Sequence, residues 1–410
     1  MNSDATTTLH MWMRAHEDDL IDFLRRIVNM DTSTANRPGV EALAALMATE
    51  LAGLGFAVER PAGVRPEQDW LDAAFMGAEA GKGIAPGVVG RLAGGTGRGK
   101  LLLIAHLDTA FPPGSPAENP FRIDNERAYG TAVADMKGGV AGILFACRAL
   151  LATGAERPAQ ITVLFDTDEQ AGSIWSRPLI EAEARAADWG LDTEPGRAGG
   201  QVVGQRAGIA IGELVVEGVE AHLGTGYKDG RSAIEALCRK VIALHRLHDP
   251  DRGVLLNVGE FAGGTRRNLY AGRAVARLDA RVTDAPAWER LRAEIAAIAA
   301  ADDVPGTRCT LKLWQHRPPM PWTPQTDRLA ALVNETATAL GTEIPTIATM
   351  GASDANLIAG QGTPTLCGLG PVGGAIMTHD EYIELPTLAE RATLVAALAH
   401  KLSRSEGTTA

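Results

Sequence analysis

The segment Leu101-Leu-Leu-Ile-Ala-His106-Leu-Asp108-Thr109 decides the fold, because it is a buried strand that ends in metal-binding chemistry. Its uninterrupted apolar run is typical of a central strand that is covered on both faces. In an open α/β sheet, ligands collect at the carboxyl ends of such strands. His106 stands at that end. Asp108 points the same way along the strand, and we expect it to hold the ring nitrogen that is free of metal.

Three further acidic groups fall where a strand ends or a tight turn begins. Asp135 lies in the glycine-bounded stretch Gly130–Gly139, where a short carboxylate is suited to bridge ions. The apolar strand Gln160–Phe165 runs into Asp-Thr-Asp-Glu169-Gln, and Glu194 follows another short strand. One imidazole with several carboxylates is a ligand set that suits zinc or a similar divalent cation. Taken singly, each group has a plainer explanation, namely a satisfied core histidine or an acidic turn that caps a helix.

The order of the predicted strands and helices divides the chain into two domains. Residues 1–203 and 318–410 alternate helix and strand, which predicts a doubly wound α/β domain. Residues 204–317 read as strand, helix, strand, strand, helix, strand, which predicts two helices on a four-stranded antiparallel sheet. The smaller α+β domain is thus inserted into the larger one. The length of 410 residues agrees with two domains.

Composition excludes several classes of partner. The formal net charge of −11 argues against nucleic acid and anionic membranes, because both attract clustered Lys and Arg. We expect no apolar run long enough to cross a bilayer, and the first 14 residues lack the apolar core of a signal peptide. The four cysteines are widely spaced and are interpreted as reduced core residues. Together these features predict a cytoplasmic protein.

The chain also carries a series of motifs that occur together, in this order, in one enzyme family. They are His106-Leu-Asp, Ala134-Asp-Met-Lys-Gly-Gly139, Thr167-Asp-Glu-Gln-Ala-Gly-Ser-Ile-Trp-Ser-Arg-Pro-Leu-Ile180, Glu194-Pro195, Val219-Glu-Ala-His222-Leu-Gly, Arg267-Asn268-Leu, Leu278-Asp-Ala-Arg281, Gly351-Ala-Ser-Asp354 and Glu381-Tyr-Ile. With them the chain resembles the M20 metallopeptidases, especially the glutamate carboxypeptidase and aminoacylase branch, over nearly its whole length. The resemblance implies a zinc-peptidase-like catalytic domain interrupted by a lid domain that also forms a homodimer.

The resemblance assigns the metal ligands and the general base. In the family an aspartate bridges two metals, and Asp135 matches it. His106 and Glu194 match the remaining ligands of one metal, so that this site is intact. Glu169 matches the general base, which takes a proton as a water oxygen attacks an amide carbonyl. Asp108 is the positioning member of the catalytic set.

The resemblance also assigns residues of the lid domain. His222 matches a histidine that reaches the partner subunit's site and donates to the oxyanion. Asn268 and Arg281 match residues that bind the substrate carboxylate, a role for which the guanidinium is well shaped, and Gly351 is grouped with them. Each has an alternative. His222 is otherwise an ordinary surface histidine, Asn268 serves backbone geometry, and Arg281 pairs with Asp279 or Asp284.

The second metal site departs from the family pattern. Gln170 stands where the family has a glutamate, and a neutral amide is a poorer ligand for a divalent cation. Met377 stands where the family has its last histidine ligand, and a thioether does not suit zinc. His379 is the one nearby residue that could substitute. We therefore expect one metal per chain and a degenerate second site.

Three functions follow from this set of residues. The first is a metal-dependent hydrolase that cleaves an amide next to a carboxylate, such as an N-acyl amino acid or a small dipeptide. The second is a related enzyme with a non-hydrolytic reaction, namely acyl transfer, cyclisation, isomerisation or elimination. The third is a catalytically silent binding protein, which the retained base and metal ligands disfavour.

Overall fold

The computed structural model describes residues 3–76, 79 and 81–405. The chain forms two compact units. The first comprises three segments, namely the residues up to Gly204, Trp322–Ala348 and the residues from Ser353 onward. The second comprises Gln205–Pro321 and the short return Thr349–Ala352. The expected limits of the inserted domain were 204 and 317. The return segment was not expected, because no composition change marks it in the sequence.

The secondary structure of the first unit, before the insertion, begins with three helices. In chain order it consists of α1 Ser3–Ala15, α2 Glu17–Val28, α3 Arg37–Gly53, β1 Ala57–Glu59, α4 Asp69–Met76, β2 Val88–Ala93, β3 Lys100–His106, α5 Ser115–Glu118, β4 Arg122–Asp124, β5 Arg127–Tyr129, α6 Gly138–Thr153, β6 Gln160–Asp166, α7 Arg177–Arg185, β7 Trp189–Asp192 and β8 Val202–Arg206. The last strand leads into the second unit.

The second unit and the return of the chain complete the list of elements. The second unit consists of β9 Gly208–Glu217, α8 Ala233–His245, β10 Val254–Gly263, β11 Arg273–Val282, α9 Ala285–Ala300 and β12 Arg308–Arg317. The chain then continues through α10 Pro324–Ala339, β13 Thr346–Thr349, α11 Ala355–Ala359, β14 Thr365–Leu366, β15 Gly373–Gly374, β16 Tyr382–Glu384 and α12 Leu385–Leu402.

The main sheet of the first unit places four strand ends at one edge. Its order is β1-β2-β6-β3-β7-β14, and β6, β3, β7 and β14 run parallel. Along β3, Leu101 and Leu103 join the core cluster on one face, and Leu102 and Ile104 join the cluster on the other. Helices therefore cover both faces, as predicted for a doubly wound sheet. The parallel strands bring His106 and Asp166 to the same edge as neighbours.

Helix α6 is the central helix of this unit. It begins next to the strand ends, where the backbone approaches closely: a Cβ on Gly139 would lie 2.1 Å from the Thr193 carbonyl oxygen. By length and composition, Val133–Thr153 qualifies as a membrane span, contrary to the sequence expectation, but 78% of its apolar window is buried within the protein. Such burial is that of a core helix.

The second unit has the predicted α+β architecture. Its four antiparallel strands lie in the order β10-β11-β9-β12, and burial alternates residue by residue along β9. The inward residues share one core with the apolar faces of α8 and α9. The fold class expected from the sequence is thus confirmed.

Three features were not predicted. Helix α1 buries Leu9 and Met13 in the main core, and its short apolar pattern gave little signal. Helix α4 lies in a stretch that the sequence left unassigned. A small sheet of order β15-β16-β5-β4 joins segments that are far apart in sequence, so no local sequence pattern predicts it.

Candidate metal centre

Three side chains that the sequence singled out as metal ligands meet at the strand ends. Nε2 of His106 lies 3.2 Å from Oδ1 of Asp135 and 3.8 Å from Oε1 of Glu194. One ligand atom from each of the three lies within 4.8 Å of the others. His106 and Asp135 are buried, and Glu194 is nearly so. One imidazole nitrogen and two carboxylate oxygens form a three-ligand set of the kind that holds zinc with an open position.

The turn that carries Asp135 is held by a buried glutamate. Asp135 lies in an irregular turn, Val133–Lys137, and its peptide bond to Met136 is cis. Oε1 of Glu381 accepts hydrogen bonds from the backbone N–H groups of Ala134 and Asp135, at 2.8 Å and 3.0 Å. Burial raises the pKa of Glu381 to about 7, against the opposing effect of these N–H donors. The sequence quoted Glu381 as part of a motif but assigned it no role.

The ligand group accumulates negative charge away from water. Burial alone would lower the pKa of His106, but the hydrogen bond to Asp135 and the surrounding carboxylates raise it well above its ordinary value. Burial and the charges of Asp135 and Asp192 raise the pKa of Glu194 well above its ordinary range. Carboxylates crowded around one imidazole in a buried site are the arrangement that a divalent cation neutralises.

Asp108 holds the loop of the candidate base more closely than it holds the imidazole. Nδ1 of His106 lies 2.9 Å from the backbone carbonyl oxygen of Asp108 but 3.6 Å from its carboxylate. That carboxylate accepts from the backbone N–H groups of Glu169 and Gln170, at 3.0 Å and 3.1 Å, and from the Thr34 hydroxyl at 2.7 Å. The backbone, and not the side chain, therefore orients the imidazole. The Asp108 carboxylate fixes the segment that carries Glu169.

Further buried carboxylates anchor the same loop. Oδ2 of Asp168 accepts from the Trp175 backbone N–H at 2.8 Å, and Oδ1 of Asp354 accepts from the Ser173 hydroxyl at 2.5 Å. Burial raises the pKa of Asp168 to about 7. Glu169 follows Asp168 in this loop, and its negative charge contributes to the raised pKa of His106 and of Glu194.

The residues of the expected second metal site are arranged differently. Nε2 of Gln170 donates a hydrogen bond to Oδ2 of Asp135 at 3.3 Å. The Met377 side chain is half-exposed, and its backbone N–H donates to Glu381 at 2.9 Å. The His379 side chain is 68% exposed, beside Asp380. Among the residues that the structure describes, the metal-ligating group contains His106, Asp135 and Glu194 only.

The second unit brings its predicted substrate residues into two places. His222 is exposed, and its backbone forms an isolated antiparallel β-bridge with Leu269. The neighbouring Leu223 N–H donates to the Asn268 carbonyl oxygen at 3.0 Å. Arg281 donates through Nε to Asp279 at 3.1 Å and through Nη1 to the Met350 carbonyl oxygen at 2.9 Å. Arg281 is therefore tied both to the alternative partner and to the segment that contains Gly351. His222 and Asn268 form a second, exposed pair.

Comparison with known proteins assigns the chain. The sequence profile described as "Peptidase family M20/M25/M40" matches residues 102–401. The chain belongs to peptidase family M20. This M20 chain is 29% identical to carboxypeptidase G2 of Pseudomonas sp. (strain RS-16) over 385 residues, covering 92% of this chain and 88% of that protein. It is also 30% identical to succinyl-diaminopimelate desuccinylase of Xanthomonas oryzae pv. oryzae, over 75% of this chain and 85% of that enzyme.

Solved structures share the fold. A tripeptidase from Staphylococcus aureus aligns with a TM-score of 0.78 at 21% identity, over 95% of this chain and 99% of that chain. A dinuclear metal binding peptidase of the M20 family from Bacillus subtilis aligns with a TM-score of 0.65 at 16% identity, over 95% and 99% of the two chains. The family and its hydrolase members establish this protein as an M20 metallo-hydrolase.

Proposed function

We propose that this M20 hydrolase uses one divalent cation, zinc or similar, to hydrolyse an amide bond next to a free carboxylate, as in an N-acyl amino acid or a small dipeptide. His106, Asp135 and Glu194 would hold the cation. The hydrogen bond from Gln170 to the second oxygen of Asp135 carries the proposal.

The donor chemistry fits one cation. The carboxylates of Asp135 and Glu194 lie within 4 Å of Nε2 of His106, and the other ring nitrogen already has a backbone acceptor at 2.9 Å. That acceptor favours a proton on Nδ1 and leaves Nε2 as the metal-binding nitrogen. The three groups supply the nitrogen and oxygen ligands that zinc accepts.

The same geometry argues against a second cation. In a two-metal centre, a bridging aspartate gives one oxygen to each ion. Here the Gln170 amide group takes up the second oxygen of Asp135. An N–H donor satisfies a carboxylate oxygen without adding a ligand, and the half-exposed Met377 adds no ligand that suits zinc. The hydrogen bond from Gln170 therefore replaces, for the second oxygen of Asp135, the contact that a second cation would make.

The catalytic roles rest on the residues around this group. A cation bound there supplies Lewis-acid polarisation of the amide carbonyl and lowers the pKa of water. Glu169 accepts the proton from the attacking water and later delivers it to the leaving amine. Asp108 keeps the Glu169 backbone in place through its hydrogen bonds. Arg281, Asn268 and Gly351 bind the substrate carboxylate, and the 33% exposure of the Arg281 side chain supports this role.

The proposal includes a homodimer formed through the second unit, in which His222 of the partner subunit donates to the developing oxyanion. The position of β10 supports it, because β10 is an edge strand of its sheet and exposes Phe261. Light scattering after gel filtration tests the dimer, and a monomeric mass that persists at high concentration contradicts it. None of the four cysteines forms a disulfide, in keeping with a cytoplasmic enzyme. Cys238 is exposed, so the expectation that all four lie in the core is wrong for that residue.

Metal analysis with kinetics tests the whole proposal. Equilibrium dialysis against zinc followed by elemental analysis is expected to give one ion per chain. The metal-loaded protein is expected to release amino acids from N-acyl amino acids. The double variant Gln170→Glu, Met377→His is expected to bind a second ion and to hydrolyse faster. Two ions in the native protein would refute the one-metal proposal, and hydrolysis that falls in the double variant would refute the idea of a lost site.

A further inference from the structure

A cavity lies at the beginning of α12, entirely within the first unit. Its volume is about 240 Å³, and it is bounded by the turn before β8, the turn after α10 and the first turns of α12. Among the described residues that line it, none belongs to the groups assigned above to the metal, the general base or the substrate. The proposed hydrolysis therefore gives this cavity no role.

Arg391 is the one cationic side chain in the described lining of this cavity, and it is only 4% exposed. Its Nη2 donates a hydrogen bond to the Gly200 carbonyl oxygen, whereas Nη1 is buried with no hydrogen-bond partner in the described chain. Burial lowers the pKa of Arg391 to about 10, against the opposing charge of Glu390, so the guanidinium stays charged at neutral pH. A buried cation without a paired anion is costly. These features favour an anionic group in the cavity.

The beginning of α12 favours the same charge. This helix has 18 residues, and its N-cap residue, Glu384, makes no side-chain hydrogen bond to the first turn. Glu384 and Thr387 both line the cavity. The first N–H groups of a helix have no partner within the helix, and together with the helix dipole they attract a carboxylate. The backbone also approaches the guanidinium closely, since a Cβ on Gly200 would lie 3.3 Å from Nη2 of Arg391.

The rim of the cavity carries the opposite charge. Glu343, Glu384 and Glu390 line it, and all three are exposed. A ligand with negative charge alone would be repelled by this rim. A ligand that has a carboxylate at one end and an ammonium group beside it meets both the buried guanidinium and the glutamates. Ile344 and Val372, which are buried, supply an apolar part of the wall.

We infer that this cavity is a second ligand site, which binds a free apolar α-amino acid with its carboxylate on Arg391 and its ammonium group beside the glutamates of the rim. Drug-sized ligands occupy sites of roughly 300–1,000 Å³, so a volume of about 240 Å³ suits a smaller molecule of this class. An amino acid is also a product of the proposed hydrolysis. The inference nevertheless rests on the charges around the cavity and does not depend on that reaction.

Titration calorimetry of the zinc-loaded protein with three probes tests the inference. The probes are leucine, 4-methylpentanoate, which lacks the ammonium group, and 3-methylbutylamine, which lacks the carboxylate. Leucine is expected to bind about tenfold more tightly than either analogue, because only leucine meets both charges. Absence of leucine binding up to about 10 mM would overturn the inference. Equal affinity for leucine and 4-methylpentanoate would overturn it as well, since the rim would then contribute nothing.

Two arginine variants distinguish this cavity from the catalytic centre. Arg391→Met keeps most of the side-chain length but removes the charge, and it is expected to weaken leucine binding about thirtyfold. Arg281, which the proposed function assigns to the substrate carboxylate, provides the matched control. Arg281→Met is expected to leave this leucine binding unchanged. Binding that falls in Arg281→Met but not in Arg391→Met would place leucine at the catalytic centre and overturn the inference.

Urea unfolding separates a ligand site from a purely structural arginine. Removal of a buried charge that has no anionic partner is not expected to lower the urea midpoint of the ligand-free protein. Leucine is expected to raise the midpoint of the native protein and not that of Arg391→Met. A lower midpoint in Arg391→Met, with no effect of leucine on the native protein, would show that Arg391 is structural and would overturn the inference.

A change at the rim tests the ammonium position while Arg391 stays in place. The double variant Glu343→Gln, Glu390→Gln is expected to lower the ratio of leucine affinity to 4-methylpentanoate affinity by roughly three- to tenfold. Glu335 is an exposed glutamate of the same unit that pairs with Lys401 outside the cavity. The control Glu335→Gln is expected to leave the ratio unchanged. An unchanged ratio in the double variant would overturn the assignment of the rim.

The two hypotheses can fail separately. If the zinc-loaded protein hydrolyses no N-acyl amino acid, the proposed function fails, but leucine binding that depends on Arg391 still supports the second site. If hydrolysis proceeds and leucine does not bind, or binds independently of Arg391, the second site is overturned and the proposed hydrolase stands.

Discussion

Replacement of Gln170 by glutamate tests whether the hydrogen bond from Gln170 to Asp135 stabilises a centre that binds one cation. Nε2 of Gln170 lies 3.3 Å from Oδ2 of Asp135. A carboxylate oxygen at that distance would repel Asp135 by about 5 kcal/mol at an effective dielectric constant of about 20. Protonation of the new carboxyl limits the cost to about 4 kcal/mol at pH 7, given an ordinary glutamate pKa of about 4.3. We expect the metal-free Gln170→Glu protein to lose about 2–4 kcal/mol of unfolding free energy.

Urea unfolding in the presence of a chelator measures this loss. The deficit is expected to shrink to about 1 kcal/mol at pH 5, where protonation of the new carboxyl is easier. Equilibrium dialysis of the double variant Gln170→Glu, Met377→His against zinc is expected to give a second ion, which restores stability by binding the folded state. Gln201→Glu makes the same change at another half-buried glutamine of this unit and serves as the control. Native-like stability of the metal-free Gln170→Glu protein at pH 7 would refute the reasoning.

The remaining predictions concern the base, its anchor and pH. Glu169→Gln is expected to lower kcat about 10²–10⁴-fold with unchanged zinc content, measured by kinetics and elemental analysis; activity within threefold of native would contradict its role. Asp108→Asn leaves an amide group facing N–H donors, so urea unfolding is expected to show a loss of about 1–3 kcal/mol together with a lower kcat. Asp168 and Glu381 have folded-state pKa values raised to about 7, so the folded protein holds their protons more tightly. Metal-free stability is therefore expected to fall as pH rises from about 4 to 7; urea midpoints that rise over this range contradict the assignment.

The elements that the sequence predicted well are those with a strong local pattern. Helix α12, Leu385–Leu402, and strand β11, Arg273–Val282, are such elements, because each keeps one periodicity throughout. The small sheet of β4, β5, β15 and β16 was missed, since strands of two or three residues carry too few alternations to detect.

Some contacts at the site follow from local chemistry and others do not. A strand that ends in His-x-Asp and a glycine-bounded Asp predict a ligand group without reference to distant residues. The Glu381 carboxylate accepts a hydrogen bond from the backbone N–H of Asp135, and the two residues are 246 positions apart in the sequence. No rule of sequence spacing predicts that contact. The same holds for Asp108, whose carboxylate was expected at the imidazole and instead accepts from the loop of Glu169. Backbone donors buried at strand ends need acceptors, but the sequence does not say which acceptor is near.

The sequence by itself determined the family, the doubly wound domain with its α+β insertion, and the ligand types, because periodicity and motif order are properties of the chain. Only the tertiary structure decided how the centre is completed. It turned the Gln170 amide toward the second oxygen of Asp135, left Met377 half-exposed, and brought the end of α4 over a cavity beside them. These outcomes depend on which side chains meet across the sheet edge, and that is fixed by packing among distant segments.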